Sequence, residues 1–187
     1  MKTLVIADRN PHINISEVVR HESIELIITL GDLTREDILG LEQVHQIPKI
    51  GVYGNHDSGN YMTELGIQDM HLKTWDYQGL KFGGFQGCVR YKENPDAIMY
   101  TQEEAANMMA GFPYVDVFLS HCPPYGINDE PDEISHQGLI GLRKYLDEQK
   151  PKVWLHGHTY PTEETIIRQH DSTRIEYVYK YRVLEIK

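Results

Sequence analysis

Five short apolar runs, each followed directly or after a single glycine by Asp, Asn or His, constrain this chain more than any other feature. Lys2–Ala7 (KTLVIA) leads into Asp8-Arg9-Asn10, Glu25–Leu30 (ELIITL) into Gly31-Asp32, and Lys49–Tyr53 (KIGVY) into Gly54-Asn55-His56-Asp57. Further on, Val115–Ser120 (VDVFLS) meets His121, and Lys152–Leu155 (KVWL) meets His156-Gly157-His158. Apolar runs rich in β-branched residues and bounded by turn formers read as buried strands. Ser16–Glu22 and Glu36–Val44, between the first three, have helical spacing. Alternating strands and helices imply parallel pairing through right-handed crossovers. Ligands of open α/β sheets lie beyond the carboxyl ends of the strands. The chain therefore delivers Asp, Asp, Asn/His/Asp, His and His to one rim.

The remaining segments fit the same class. Leu80–Gln86 is a glycine-rich strand, Gln102–Ala110 a helix and Leu139–Gln149 a longer helix. Thr165–Ile186 alternates and predicts an antiparallel hairpin turning near Asp171, with Tyr177, Tyr179 and Tyr181 on one face of a strand. No repeat or linker divides the chain, so residues 1–187 read as a single α/β domain with a mixed sheet or two packed sheets. With 187 residues, 40% of them apolar, it can bury a full core. No apolar run approaches the roughly 20 residues that span a bilayer, and Asp8 interrupts the N-terminal run too early for a secretory signal. Two cysteines, Cys88 and Cys122, cannot staple a domain of this size, and the expected location is the reducing cytoplasm. A net charge of −10 disfavours a general grip on duplex nucleic acid. It leaves open phosphate chemistry at a bound cation, whose charge dominates the local field.

Taken singly, each polar piece has an ordinary reading. Asp8 can cap a helix, and Gly31-Asp32 or Asn55-His56-Asp57 can form turns. Five such strand ends in succession are a different matter. Carboxylate and amide oxygens with imidazole nitrogens, and no obligatory thiolate, suit Mn²⁺, Fe, Zn²⁺, Co²⁺ or Ni²⁺ rather than Ca²⁺ or Cu(I). A carboxylate bridging two cations about 3.5–4 Å apart would clamp a phosphoryl group and acidify water.

These residues resemble the calcineurin-like metallophosphoesterases, in particular their small bacterial and archaeal members. The family pattern of D-x-H, G-D, G-N-H-[DE], a lone His and G-H-x-H is met here by Asp8-x-Asn10, Gly31-Asp32, Gly54-Asn55-His56-Asp57, His121 and Gly157-His158-x-Tyr160. His121-Cys122-Pro123-Pro124, with a helix leading into His-Gly-His, strengthens the likeness. The resemblance implies a four-layer α/β/β/α sandwich of two mixed sheets and two divalent transition-metal ions, Mn²⁺ first among them. It implies that Asp8 binds the first metal, that Asp32 bridges, and that Asn55, His121 and His158 complete the second site. His56 would serve the leaving oxygen, Asp57 would orient the His56 imidazole, and the nucleophile would be a metal-bound hydroxide.

Two positions depart from the pattern. Asn10 stands where the family has the first-motif histidine, and Tyr160 replaces the last histidine of G-H-x-H, a loss shared with the Ser/Thr phosphatase branch. Both departures fall on the first metal, whose site is expected to be weak or empty, although Asn10 through its amide and Tyr160 as phenolate remain candidate ligands. Among neighbours, Arg9 could meet a phosphate oxygen and His12 could replace the lost imidazole. His136 could reach substrate, with helix-entry capping as the ordinary reading, while His156 reads as inward packing. The expected activity is hydrolysis of a small phosphate ester or nucleotide, diesters before monoesters, with no membrane partner. The alternatives are a catalytically weak relative serving as a protein-interaction scaffold and, less favoured by the charge, a nuclease.

Overall fold

Along β1 (Lys2–Ala7), Leu4 and Ile6 face one way, Val5 and Ala7 the other, and all four are fully buried. A strand buried on both faces needs a layer on each side. The computed structural model, which describes residues 1–187, supplies both. The further strands are β2 (Leu26–Thr29), β3 (Lys49–Gly51), β4 (Gln68–Asp69), β5 (Thr74–Tyr77), β6 (Leu80–Phe85), β7 (Cys88–Val89), β8 (Met99–Tyr100), β9 (Val117–Ser120), β10 (Val153–His156), β11 (Gln169–His170), β12 (Thr173–Tyr177) and β13 (Lys180–Glu185). The helices are α1 (Ile15–Glu22), α2 (Tyr61–Glu64), α3 (Gln102–Met109) and α4 (Ile140–Gln149), with 3₁₀ turns at Glu36–Gln43 and Ile134–His136.

The first sheet has the order β13-β1-β2-β3-β4, parallel except for β13. The second runs β11-β12-β10-β9-β6-β5, a parallel centre with antiparallel edges. Period-2 alternation sorts their side chains into three cores. Val5, Ala7, Ile28, Phe82, Leu119 and Leu155 meet between the sheets. Leu4, Ile6 and Ile27 pack outward against Ile15 of α1 and Leu41. Phe118 and Trp154 pack outward against Ala105 of α3 and Leu142 of α4. Two mixed sheets back to back, helices outside, form the expected four-layer α/β/β/α sandwich.

The helices start where capping chemistry allows. Asn14 accepts the Glu17 N–H at 3.2 Å, and Thr101 and Glu104 form a reciprocal capping box at α3. α4 lacks a side-chain cap of its own, and Gln102 of α3 accepts the Ile140 N–H instead, at 2.8 Å.

The expected helical segment between β2 and β3 forms as a 3₁₀ segment, Glu36–Gln43, kinked at buried Ile38 (φ −123°). One expectation is corrected. The Thr165–Ile186 stretch is not one hairpin. β11 and β12 do pair around Asp171, yet β12 belongs to the second sheet and β13 to the first. The chain crosses between sheets at buried Val178, whose N–H donates to the His156 carbonyl at 2.9 Å. Tyr177, Tyr179 and Tyr181 therefore do not share one strand face.

Candidate metal centre

The residues after β1, β2, β9 and β10, with the loop after β3, meet at one end of the two sheets. Three of them hold backbone that side chains rarely adopt: Asp8 (φ 65°), Asp32 (φ 52°) and His158 (φ 70°). At Asp8 the Arg9 N–H returns to the Ala7 carbonyl at 2.8 Å, and at His158 the Thr159 N–H returns to the Gly157 carbonyl at 2.9 Å. A γ-turn with positive φ at its centre is rare and strained. Here two occur side by side, and the His158 N–H donates to both Asp8 carboxylate oxygens at 3.0 and 3.1 Å. Strain of this kind persists where the surroundings over-determine it, typically at functional sites.

Two glycines make room for the carboxylates. A Cβ on Gly54 would overlap the Asp32 Oδ1, and one on Gly157 would approach the Asp8 Oδ2 to 2.8 Å. Asp32 Oδ1 in turn accepts the His56 N–H at 2.8 Å, so the G-D and G-N-H-D loops are joined through the carboxylate itself.

The imidazoles decide what the cluster can hold. His121 Nδ1 donates to the Leu30 carbonyl at 2.8 Å, and His158 Nε2 donates to the Ser135 carbonyl at 2.8 Å. Backbone carbonyls thus occupy the rear nitrogen of each ring, which turns His121 Nε2 and His158 Nδ1 inward, 3.1 Å apart. Asn55 Oδ1 lies 3.0 Å and Asp32 Oδ1 3.5 Å from the same His121 Nε2. One atom each of Asp32, His121 and His158 fall within 4.8 Å of one another. An imidazole whose second nitrogen donates to a carbonyl is the usual form of a metal-ligating histidine. This donor set fits a divalent transition metal.

Electrostatics point the same way. Burial, reinforced by Asp32 and Asp57, pushes the Asp8 carboxyl up to about 6 despite His121 and the His158 N–H. Burial opposes a proton on His121, yet Asp32, Asp8 and Asp57 outweigh it and raise that imidazole above its usual range. Burial, then the neighbouring His121, holds His158 well below the usual range and neutral. Crowded carboxylates at one point are relieved by a proton or by a bound cation.

Of the eight residues the sequence singles out, Asp8, Asp32, Asn55, His121 and His158 converge in this way, and His56 lines the adjoining cavity of about 500 Å³. Asp57 lies close by but does not hold the His56 imidazole. Its two oxygens accept the Leu33 N–H at 2.7 Å, the Gly54 N–H at 2.6 Å and the Tyr61 hydroxyl at 2.9 Å, tying together the loops that carry Asp32 and Asn55. Asn10 is not brought to the cluster. Its Oδ1 accepts the His12 N–H at 2.8 Å in a local turn, and it does not line the cavity. His12 is exposed.

The cavity wall also holds Arg9, Tyr91, Ser135, His136 and Tyr160. His136 packs edge-on against His158 and Tyr160 instead of capping α4. His156 packs inward, fully buried between Asn128 Nδ2 and its neighbour's carbonyl, and burial pushes it down to about 4. Sequence reasoning missed Tyr61, Tyr91 and the carbonyls of Leu30 and Ser135. Only Tyr61, four residues beyond Asp57 in the sequence, left a readable signal.

Among known proteins, the model of the calcineurin-like phosphoesterase family matches residues 2–161. No curated protein matches the chain. Among solved structures, TT1561 of Thermus thermophilus is similar at a TM-score of 0.62 and 13% identity, over 93% of this chain and 87% of that one. GAP50, titled the anchor in the inner membrane complex of Plasmodium, is similar at 0.53 and 10%, over 95% and 70%. YfcE, a phosphoesterase from E. coli, is similar at 0.47 and 13%, over 97% and 81%.

Proposed function

Because the chain belongs to the calcineurin-like phosphoesterase family, we propose that it hydrolyses phosphate esters, diesters in preference to monoesters, at a metal centre built on Asp32, Asn55, His121 and His158. The observation that carries this reading is the pair of imidazoles locked from behind by the Leu30 and Ser135 carbonyls and turned on one point. A divalent ion there, Mn²⁺ in the first instance, supplies Lewis acidity to the phosphoryl group and to water. The chain's own residues do the rest. Asp32 and Asp8 bring negative charge to the ion, and Asp57 fixes the loops that aim Asp32 and Asn55. His56 is exposed on the cavity wall with its backbone pinned to Asp32. Its imidazole can hold a proton for the leaving oxygen, the task of a general acid.

The cavity favours a small phosphate ester or nucleotide end. It is open to solvent, bears the exposed ring of Tyr160 (50% accessible) beside Tyr91, and has Arg9 as its one guanidinium. A net charge of −10 disfavours long duplex nucleic acid. No helix is long and apolar enough to cross a membrane, and both buried cysteines are unpaired, in keeping with a cytoplasmic setting.

The testing experiment is hydrolysis of chromogenic phosphate diester and monoester by metal-stripped protein across a Mn²⁺ titration. Diester turnover that appears with metal and exceeds monoester turnover is expected. No turnover with Mn²⁺, Fe²⁺, Zn²⁺, Co²⁺ or Ni²⁺ would overturn the enzymatic reading in favour of a protein-interaction scaffold. Asn10 lying outside the cavity lining favours that second reading, and GAP50 is a protein of like fold described as an anchor.

A further inference from the structure

The two sides of the cluster are unequally equipped, and the poorer side carries a fixed cation. Beside Asp8, where the family's pattern supplies two more imidazoles, this chain has Asn10 turned into its own loop and Tyr160 half exposed. Arg9 follows Asp8 directly. Its backbone is held by the γ-turn at Asp8, and its side chain lines the same cavity as Asp8, Asp32, His56, His158 and Tyr160. The rings of Tyr160 and Tyr179 brace each other edge-on with centroids 5.8 Å apart, and Tyr160 is braced in turn by His136.

We propose that this centre holds one tightly bound metal ion, on the Asp32, Asn55, His121 and His158 side, and that Arg9 supplies beside Asp8 the positive charge a second ion would bring. The donors left for a first metal are Asp8 and Asp32 alone, too few for a tight transition-metal site and without a nitrogen ligand. A planar guanidinium meets two phosphoryl oxygens at once, which an ammonium cannot do.

The inference rests on the phosphoesterase reading, and its test separates the two. Calorimetric titration of metal-stripped protein with Mn²⁺ is expected to give one tight equivalent, both in the parent and in the exposed-site variant Arg9→Ala. Inorganic phosphate titrated into the Mn²⁺-loaded proteins is expected to bind Arg9→Ala at least about tenfold more weakly. Diester kcat is expected to fall about 10²-fold, the scale for losing one charge-stabilising donor, and Arg9→Lys is expected to recover only part of both. Two tight equivalents in the parent, or equal phosphate affinity in parent and Arg9→Ala, would overturn the role of Arg9 and leave the phosphoesterase reading intact. Absence of any Mn²⁺ binding or turnover would overturn both.

Discussion

The two sides of the candidate centre are built from the same kind of loop, one following each strand, yet they differ in where their polar atoms are committed. On the side of His121 and His158, each ring spends its rear nitrogen on a backbone carbonyl and presents the other to the cluster. On the side of Asp8, the corresponding atoms are spent locally, the Asn10 oxygen on the His12 N–H, while Arg9 and Tyr160 stand in the cavity. Residue type alone makes the sides look like one full and one diminished copy of a metal site. Hydrogen-bond commitment separates them: two imidazoles are held from behind and face one point, whereas the Asn10 oxygen meets its own loop. A ligand is recognised as much by what restrains its far end as by its near atom.

That contrast can be broken at its hinge. On the proposed reading Asp32 serves both sides, so Asp32→Ala is expected to abolish metal binding by calorimetry and reduce turnover by at least about 10⁴-fold, the scale for losing a member of a catalytic unit. Retained turnover would refute the shared role. His56 lies outside the donor set, and His56→Ala is expected to bind metal like the parent while kcat falls about 10²–10⁴-fold. A change in metal stoichiometry would instead make it a ligand.

A smaller effect separates the sides by pH. The Asp8 carboxyl is harder to ionise in the fold, at about 6 against an ordinary 3.8, so the folded protein binds more protons than the unfolded chain between those values. Its contribution is present below the ordinary value and is lost as pH rises through about 6. Metal-free protein is therefore expected to lose roughly 2–3 kcal/mol across that window through this group, visible in denaturant midpoints. Asp8→Asn should flatten that slope. Mn²⁺ should stabilise the parent more at pH 7 than at pH 5, because ionised Asp8 adds negative charge beside the ion and its protonation removes that charge. The smallest change is predicted at Asn10. Asn10→Ala removes only a local turn, so metal content should be unchanged and stability should fall by no more than about 1 kcal/mol. Loss of a metal equivalent would return Asn10 to the site.

Much of this was legible because it is covalently local. A buried strand fixes where the next residues emerge, so Asp8, Asp32, Asn55, His121 and His158 could be placed on one rim from the order of residues alone. What a side chain does within one turn of that point is set by contacts the sequence does not display. Asp57 follows His56 directly, yet its oxygens reach Leu33, across 24 residues, and Tyr61. Asn10 looks like a ligand until the strained turn at Asp8 points it elsewhere. The second γ-turn, at His158, matters only because it lies against the first, and that meeting spans 150 residues. The tyrosines near the end of the chain alternate as one strand would, but periodicity cannot report that consecutive strands enter different sheets.

That crossing has a consequence for how the protein assembles. β12 closes on β10, a nearby partner, whereas β13 must find β1, where Lys2 pairs with Glu185 and the Met1 amino group reaches the Ile186 carbonyl across 185 residues. Loop closure over such a separation is slow. Since Val178, Leu184 and Ile186 belong to the core between the sheets, that core cannot be completed until β13 arrives. The β1–β13 pairing thus ties the core between the sheets to the strand that leads into Asp8, so that the two sheets and the rim they carry form one packed unit.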